Sequence, residues 1–328
     1  MPLYFLSFRD IAAPGSLGVT AGEVYALTPM TAKVDWRKAE LTGAQWVPWA
    51  QVSEVFRDKR VCFVIHGFNV PLSDGVRGGG PMAQEFEGLG IRALKIAAAD
   101  VVVPVLWPGD GIQGWSWLNA FHTSKTAGAR FSDFLISSAF QAAEVSFISH
   151  SLGARVVLET VKQTLARRPG FAFDTAVLTA AAIDDNALDD PEYAPATNGL
   201  RRIVVLSSMK DTVLQTWFTI GSAIEGALWW GYHPTTRALG RFGPAFKPGS
   251  PGPAKTEWYE VRPGIGQDHG DYLPDGNAGL PTNGWSDKRE KVGLFCQDVF
   301  DKQPFKPALD GWGFDHTPDF RSPWPPRF

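Results

Sequence analysis

Short runs of β-branched and apolar residues alternate along the chain with longer stretches whose apolar positions recur at helical spacing. Val61–Ile65 is apolar without a break, as expected of a strand buried on both faces, and His66-Gly67 ends it. A helical pattern covers residues 84–99. Val101–Trp107 reads as the next strand, with Pro104 as its weak point because it lacks a ladder N–H. The spacing then predicts a helix over 123–143, a strand at Val145–Ile148 and a helix over 152–166. Further strands are expected at 176–183, 203–208 and 258–262. This alternation predicts an α/β fold, a mostly parallel central sheet flanked by helices on both faces. The first 55 residues read as β-rich edge structure feeding that sheet. Residues 303–328 are rich in Pro, Trp and Asp without any period and read as an irregular tail over the surface. No internal repeat is visible, so the expectation is one domain over 1–328 with its core at about 58–275.

Composition narrows the class. Apolar residues make up 44% and charged residues 20%, which is ordinary globular usage and argues against disorder. The net charge is −3 and no Lys/Arg run stands out, so no nucleic-acid partner is expected. Cys62 and Cys296 are too few for a disulfide framework, and Cys62 in its apolar run reads as a small core residue. Met1–Arg9 has no basic residue ahead of its short apolar run and does not read as a signal peptide. No apolar run approaches the ~20 residues of a membrane span. The expectation is a soluble, cytoplasmic protein without stable membrane insertion. The histidines are dispersed and the cysteines lack ligand spacing, so neither a metal nor another cofactor is expected. Gly78-Gly79-Gly80-Pro81 lacks the Lys-Ser/Thr of a phosphate loop and reads as a flexible turn.

The chemistry is concentrated where the strand Val145–Ile148 runs into Ser149-His150-Ser151-Leu152-Gly153 and then a helix. A serine flanked two positions away on each side by small residues, between strand and helix, has the pattern of a nucleophile elbow. The sharp turn pushes its Oγ out over the sheet edge, and the helix N-terminus favours developing negative charge. The usual first glycine is Ser149 here, a mild departure because serine is also small. Upstream, the strand Val61–Ile65 ends in His66-Gly67-Phe68-Asn69. A backbone N–H after such a strand end can point at a substrate oxyanion, with the Leu152 N–H as a second donor. His66 itself reads as a packing residue that holds the loop, and Phe68 as the functional one.

On His66-Gly67-Phe68-Asn69, Trp107-Pro108-Gly109-Asp110-Gly111, Ser149-His150-Ser151-Leu152-Gly153 and Lys210-Asp211-Thr212-Val213-Leu214, the chain resembles the α/β-hydrolase superfamily, in particular a poorly characterised bacterial branch of esterase- and lipase-like serine hydrolases. The resemblance covers about two-thirds of the chain. It implies the order Ser…Asp…His and hydrolysis of an ester or related acyl bond. It also implies that the acid follows the penultimate strand, which favours Asp211; Asp185 stays open as the alternative, with helix capping as the other reading of Asp184 and Asp185. Three histidines follow the serine. His233 lies in an aromatic insertion and His316 in the tail, whereas His269 comes shortly after the strand at 258–262 and is the expected base. His150 is too close to Ser151, so its side chain must point elsewhere, and His122 precedes the elbow.

The aromatic content is unusual, with 13 Trp. Trp115 lies in a loop after a strand carboxyl end, where α/β sheets form ligand crevices. Trp217, Trp229 and Trp230 fall between Asp211 and His269. All four are candidate substrate contacts, and residues 213–255 read either as an inserted aromatic cap or as ordinary core packing. The expected activity is that of a serine hydrolase cleaving a small hydrophobic carboxylic ester. A lipase or phospholipase working at a lipid interface is the nearest alternative, and a non-catalytic binding protein on a hydrolase scaffold the alternative of another class. Oligomeric state is not set by the sequence.

Overall fold

The computed structural model of the protein describes residues 3–9, 18–27, 44–68, 99–109, 116–218, 237–261, 269–272, 292, 295–296, 298–300 and 314–316. In chain order these form β1 (Leu3–Arg9), β2 (Val19–Leu27), β3 (Ala44–Trp46), α1 (Trp49–Phe56), β4 (Arg60–Ile65), β5 (Val101–Leu106), α2 (Ser116–Ile136), β6 (Glu144–His150), α3 (Gly153–Arg167), β7 (Phe173–Thr179), α4 (Ala194–Gly199), β8 (Leu200–Ser207), β9 (Thr256–Val261) and β10 (Phe314–His316). The strands join in one ten-stranded sheet of order β10-β9-β8-β7-β6-β4-β5-β1-β2-β3. From β9 to β1 every neighbouring pair is parallel. Antiparallel pairing is confined to the two margins, β1–β2–β3 and β9–β10.

The period of two along each strand divides the apolar residues cleanly between the two faces. Val61, Phe63 and Ile65 of β4, Phe147 of β6 and Ile203 and Val205 of β8 join one buried cluster with α1, α2 and α3. Cys62, Val64, Ile148, Val204 and Leu206 join a second, smaller cluster with Tyr259, Tyr272, Phe295, Cys296 and Val299. The helix α2 places Ala120, Ser124, Ala127, Phe131 and Phe134 on one buried stripe at three- and four-residue spacing. Phe63 packs edge-on against Phe131 with ring centroids 4.8 Å apart, and Phe56 and Phe140 pack tilted to one another at 5.2 Å.

Several elements differ from the sequence expectation for local reasons. The expected helix over 123–143 spans Ser116–Ile136. Ser137 closes it by bonding back to the Phe134 carbonyl through its hydroxyl and its N–H, and the chain then turns Phe140 into the phenylalanine cluster. The strand expected at 176–183 starts earlier, at Phe173, and stops at Thr179. Ala180 adopts φ +45°, and the segment after it passes beneath the elbow, where the Ala182 N–H donates to the Ser151 carbonyl. Pro104 is accommodated in β5, whose short ladder to β1 starts one residue later, at Val105. The tail expected to be irregular contributes a strand: Phe314–His316 pairs with the outer edge of β9.

Of the expected cap insertion, residues 219–236 lie outside the described residues. The segment after them packs on the body of the fold: Leu239 is fully buried, and Ala238 bridges to Asp184. Residues 84–98 of the helix expected over 84–99 and the Gly78–Pro81 turn also lie outside the described residues, and Ala99 is not helical. No described helix is long and apolar enough to cross a membrane.

Candidate active site

The carboxyl ends of β4, β6 and β8 converge on Ser151. The chain leaves β6 at His150 and enters α3 at Gly153, and Ser151 bridges them with φ +52°. A non-glycine residue in that region costs about 1–2 kcal/mol, and the surroundings hold it there. The Ser151 N–H donates to the Thr179 carbonyl of β7 at 3.0 Å, and its own carbonyl accepts from Ala182 at 3.0 Å. The small flanking residues are required by close approach. A Cβ at Gly153 would lie 2.5 Å from the His66 carbonyl oxygen, and one at Gly67 2.7 Å from the Ser151 Cβ. At the first small position, Ser149 is fully buried and its carbonyl accepts from the Thr179 hydroxyl at 2.9 Å. Serine thus fits where glycine is usual.

The structure brings Asp211 and His269 to this serine. His269 Nε2 stands 2.9 Å from Ser151 Oγ, and His269 Nδ1 stands 2.8 Å from Asp211 Oδ2. A carboxylate only accepts, so Nδ1 carries the ring proton and the Nε2 lone pair faces the serine hydroxyl. Asp211 follows β8 and is completely buried. Its second oxygen accepts from the Leu214 N–H at 2.8 Å, and its carbonyl accepts from the Arg241 guanidinium at 2.5 Å. Asp184 and Asp185 stand in a turn bridged to Ala238 instead of starting a helix. This array can remove a proton from the serine hydroxyl and stabilise the imidazolium that results.

The loop after β4 is held from three sides. The Trp107 backbone N–H donates to His66 Nε2 at 3.1 Å, and the Trp107 indole N–H donates to the His66 carbonyl at 2.9 Å. With Nε2 accepting, Nδ1 carries the proton and donates to the Gly67 carbonyl at 2.7 Å. The two rings stack at 5.3 Å. Arg9 of β1, itself buried, donates from Nε to the Trp107 carbonyl at 2.6 Å. Burial, and then the Arg9 charge, hold His66 well below the usual histidine range, so it stays neutral. His66 therefore fixes the loop that carries Gly67, next to Ser151, and then Phe68, which is half-buried against the core. Leu152 stands at the N-terminus of α3, where backbone N–H groups are open.

Arg9, Arg241 and the bonding role of Trp107 escaped sequence reasoning. Arg9 lies nearly a hundred residues from its partner, and no local pattern distinguishes it from a surface arginine. Trp115, Trp229 and Trp230 lie outside the described residues, as does the side chain of Trp217, whose backbone forms part of a π-helical turn at Leu214–Phe218. Among the described residues no three His, Cys, Asp or Glu side chains group as metal ligands would.

The fold has distant likenesses among solved structures. An esterase from Pyrobaculum calidifontis shares 12% identity over 75% of this chain and 77% of its own, with a TM-score of 0.36. Carboxyl esterase 2 from the fungus Tuber melanosporum shares 11% over 92% and 87%, with a TM-score of 0.39. Esterase B from Lactobacillus rhamnosis shares 11% over 75% and 77%, with a TM-score of 0.36. A search of the curated proteins finds no match. Residues 50–226, more than half of the chain, match the alpha/beta hydrolases of unknown function (DUF900), a span that includes the β4 loop, the elbow and Asp211. The chain belongs to that family.

Proposed function

We propose that the protein is a serine hydrolase that cleaves carboxylic esters through an acyl-enzyme. The observation that carries this reading is the unbroken chain from Ser151 Oγ to His269 Nε2 at 2.9 Å and from His269 Nδ1 to Asp211 Oδ2 at 2.8 Å. His269 takes the serine proton as Oγ attacks the ester carbonyl carbon. Asp211 holds the imidazole in its Nδ1–H tautomer and stabilises the charged ring. The backbone N–H groups of Phe68 and Leu152 receive the oxyanion. The protonated His269 then gives its proton to the departing alkoxide, leaving the acyl group on Ser151. Water, deprotonated by the same histidine, attacks the acyl carbon; the bond to Ser151 Oγ breaks, His269 returns the proton to Oγ, and the acid leaves. The tryptophans at 115, 217, 229 and 230 support an apolar acyl group.

Ser151→Ala is the decisive test. The variant should fold with an unchanged circular dichroism spectrum and lose p-nitrophenyl butyrate turnover, and a fluorophosphonate should label only the parent protein, at Ser151. A folded Ser151→Ala protein that keeps most of its turnover overturns the mechanism. An ester series from acetate to octanoate then tests the acyl preference, and highest kcat/KM on acetate would overturn the apolar acyl site.

A further inference from the structure

The residue before the nucleophile points away from the site yet grips the base. His150, the last residue of β6, is buried and projects to the sheet face opposite α2 and α3, among Val64, Ile148, Tyr272, Val292 and Cys296. Its Nε2 lies 2.9 Å from the backbone carbonyl of His269, and its ring centroid 4.7 Å from the His269 ring. A carbonyl only accepts, so Nε2 must carry the proton. Nδ1 is buried without a hydrogen-bond partner among the described residues, packed where a Cβ on Gly67 would lie 3.0 Å away. Tyr272, at the end of the short 3-10 turn His269–Tyr272, flanks the other side with centroids 6.4 Å apart.

We propose that His150 is a positioning residue that ties the base-bearing turn to the nucleophile elbow, an inference that rests on the reading of Ser151, His269 and Asp211 as the catalytic residues. The turn arrives from 118 residues away in sequence. The His269 side chain is held by Asp211 and Ser151, and the His150 bond holds the backbone of the same residue. That backbone hold comes from the residue adjacent to Ser151. The distance from base to nucleophile is then set within one dipeptide. Burial and the adjacent His269 push the His150 pKa down to about 3, so the ring stays neutral and does not repel the imidazolium that forms beside it.

The test compares two substitutions. His150→Phe keeps an aromatic ring but removes the donor, and His150→Gln restores an N–H at similar reach. With p-nitrophenyl butyrate, His150→Phe should lower kcat about 10²-fold, as expected for a reacting group displaced by about 1 Å, with KM nearly unchanged. His150→Gln should recover most of that loss. Wild-type kcat in His150→Phe, or an equal loss in both variants, overturns the inference. Imidazole ¹⁵N NMR of the parent protein gives a reading that does not depend on variant folding: His150 should be the neutral Nε2–H tautomer at pH 7, and an Nδ1–H tautomer overturns the proposal. Ser151→Ala run in parallel separates the two levels. If turnover survives that change, the catalytic reading itself falls. If turnover requires Ser151 but ignores His150→Phe, only the positioning role falls.

Discussion

The two faces of the sheet are built differently. The face under α1, α2 and α3 is a continuous phenylalanine cluster, with Phe56, Phe63, Phe131, Phe134, Phe140 and Phe147 in mutual ring contact. The opposite face is smaller and built from Cys62, Val64, Ile148, Val177, Val204 and Leu206, with the polar ring of His150 at its upper margin. The phenylalanine face supports the elbow from below: β6 enters it through Phe147, and α3 leaves it through Val156 and Val157. The second face meets the turn that carries His269. One face therefore sets where Ser151 stands, and the other sets where His269 stands. Stability and activity should separate along the same division.

Asp211→Asn offers the largest separation. The amide keeps the volume and an oxygen for the Leu214 N–H, but it cannot stabilise a charged His269 as a carboxylate does. We expect kcat on p-nitrophenyl esters to fall on the order of 10⁴-fold with the melting temperature little changed. Asp184→Asn and Asp185→Asn should cost far less. A crippling effect at Asp185 would move the acid to the end of β7 and break the assignment.

Phe63→Ala should do the reverse. Phe63 is fully buried and touches Phe56, Phe131, Phe140 and Phe147, so removing its ring leaves a cavity among rigid neighbours. We expect a loss of about 3–5 kcal/mol by urea unfolding, with kcat of the folded fraction nearly unchanged. A kcat loss as large as that of Asp211→Asn would show that the faces are not separable.

Much of this arrangement is legible in the sequence because it is local. An apolar run ending in His66-Gly67 and a small-x-Ser-x-Gly turn after Val145–Ile148 each carry their geometry within a few residues. The three residues named as nucleophile, acid and base meet at hydrogen-bond distance. What sequence could not give depends on register between distant strands. Arg9 reaches Trp107 because β1 pairs with β5 through Leu6 and Val105, a pairing that no residue on β1 announces. Proximity to Ser151 in sequence excludes His150 as the base. Its hold on the His269 carbonyl needs the return of a turn more than a hundred residues later. The β10 strand was invisible for a similar reason: three residues form a strand only where β9 offers an open edge.

Each face also hides one neutral imidazole, His66 stacked on Trp107 and His150 beside Tyr272, and acid titration compares them. Both have folded-state pKa values below the ordinary 6.5, that of His150 at about 3, with burial as the leading cause in each. The unfolded chain therefore takes up each proton first. Stability is fully present above pH 6.5 and declines as pH falls from there toward 3, the window set by His150. One such proton contributes a slope of about 1.4 kcal/mol per pH unit well inside that window. Urea unfolding of the parent protein and of His150→Gln at pH 7, 6 and 5 should show equal pH dependence near pH 7. Between pH 6 and 5 the variant should lose stability less steeply, by up to that one-proton amount. The remaining slope in the variant includes His66, which keeps both of its ring nitrogens bonded to Trp107 and Gly67. Parallel curves from pH 7 to 5 would mean that His150 takes up its proton in the folded protein as readily as in the unfolded chain, and the second face would then hold a charged ring beside His269.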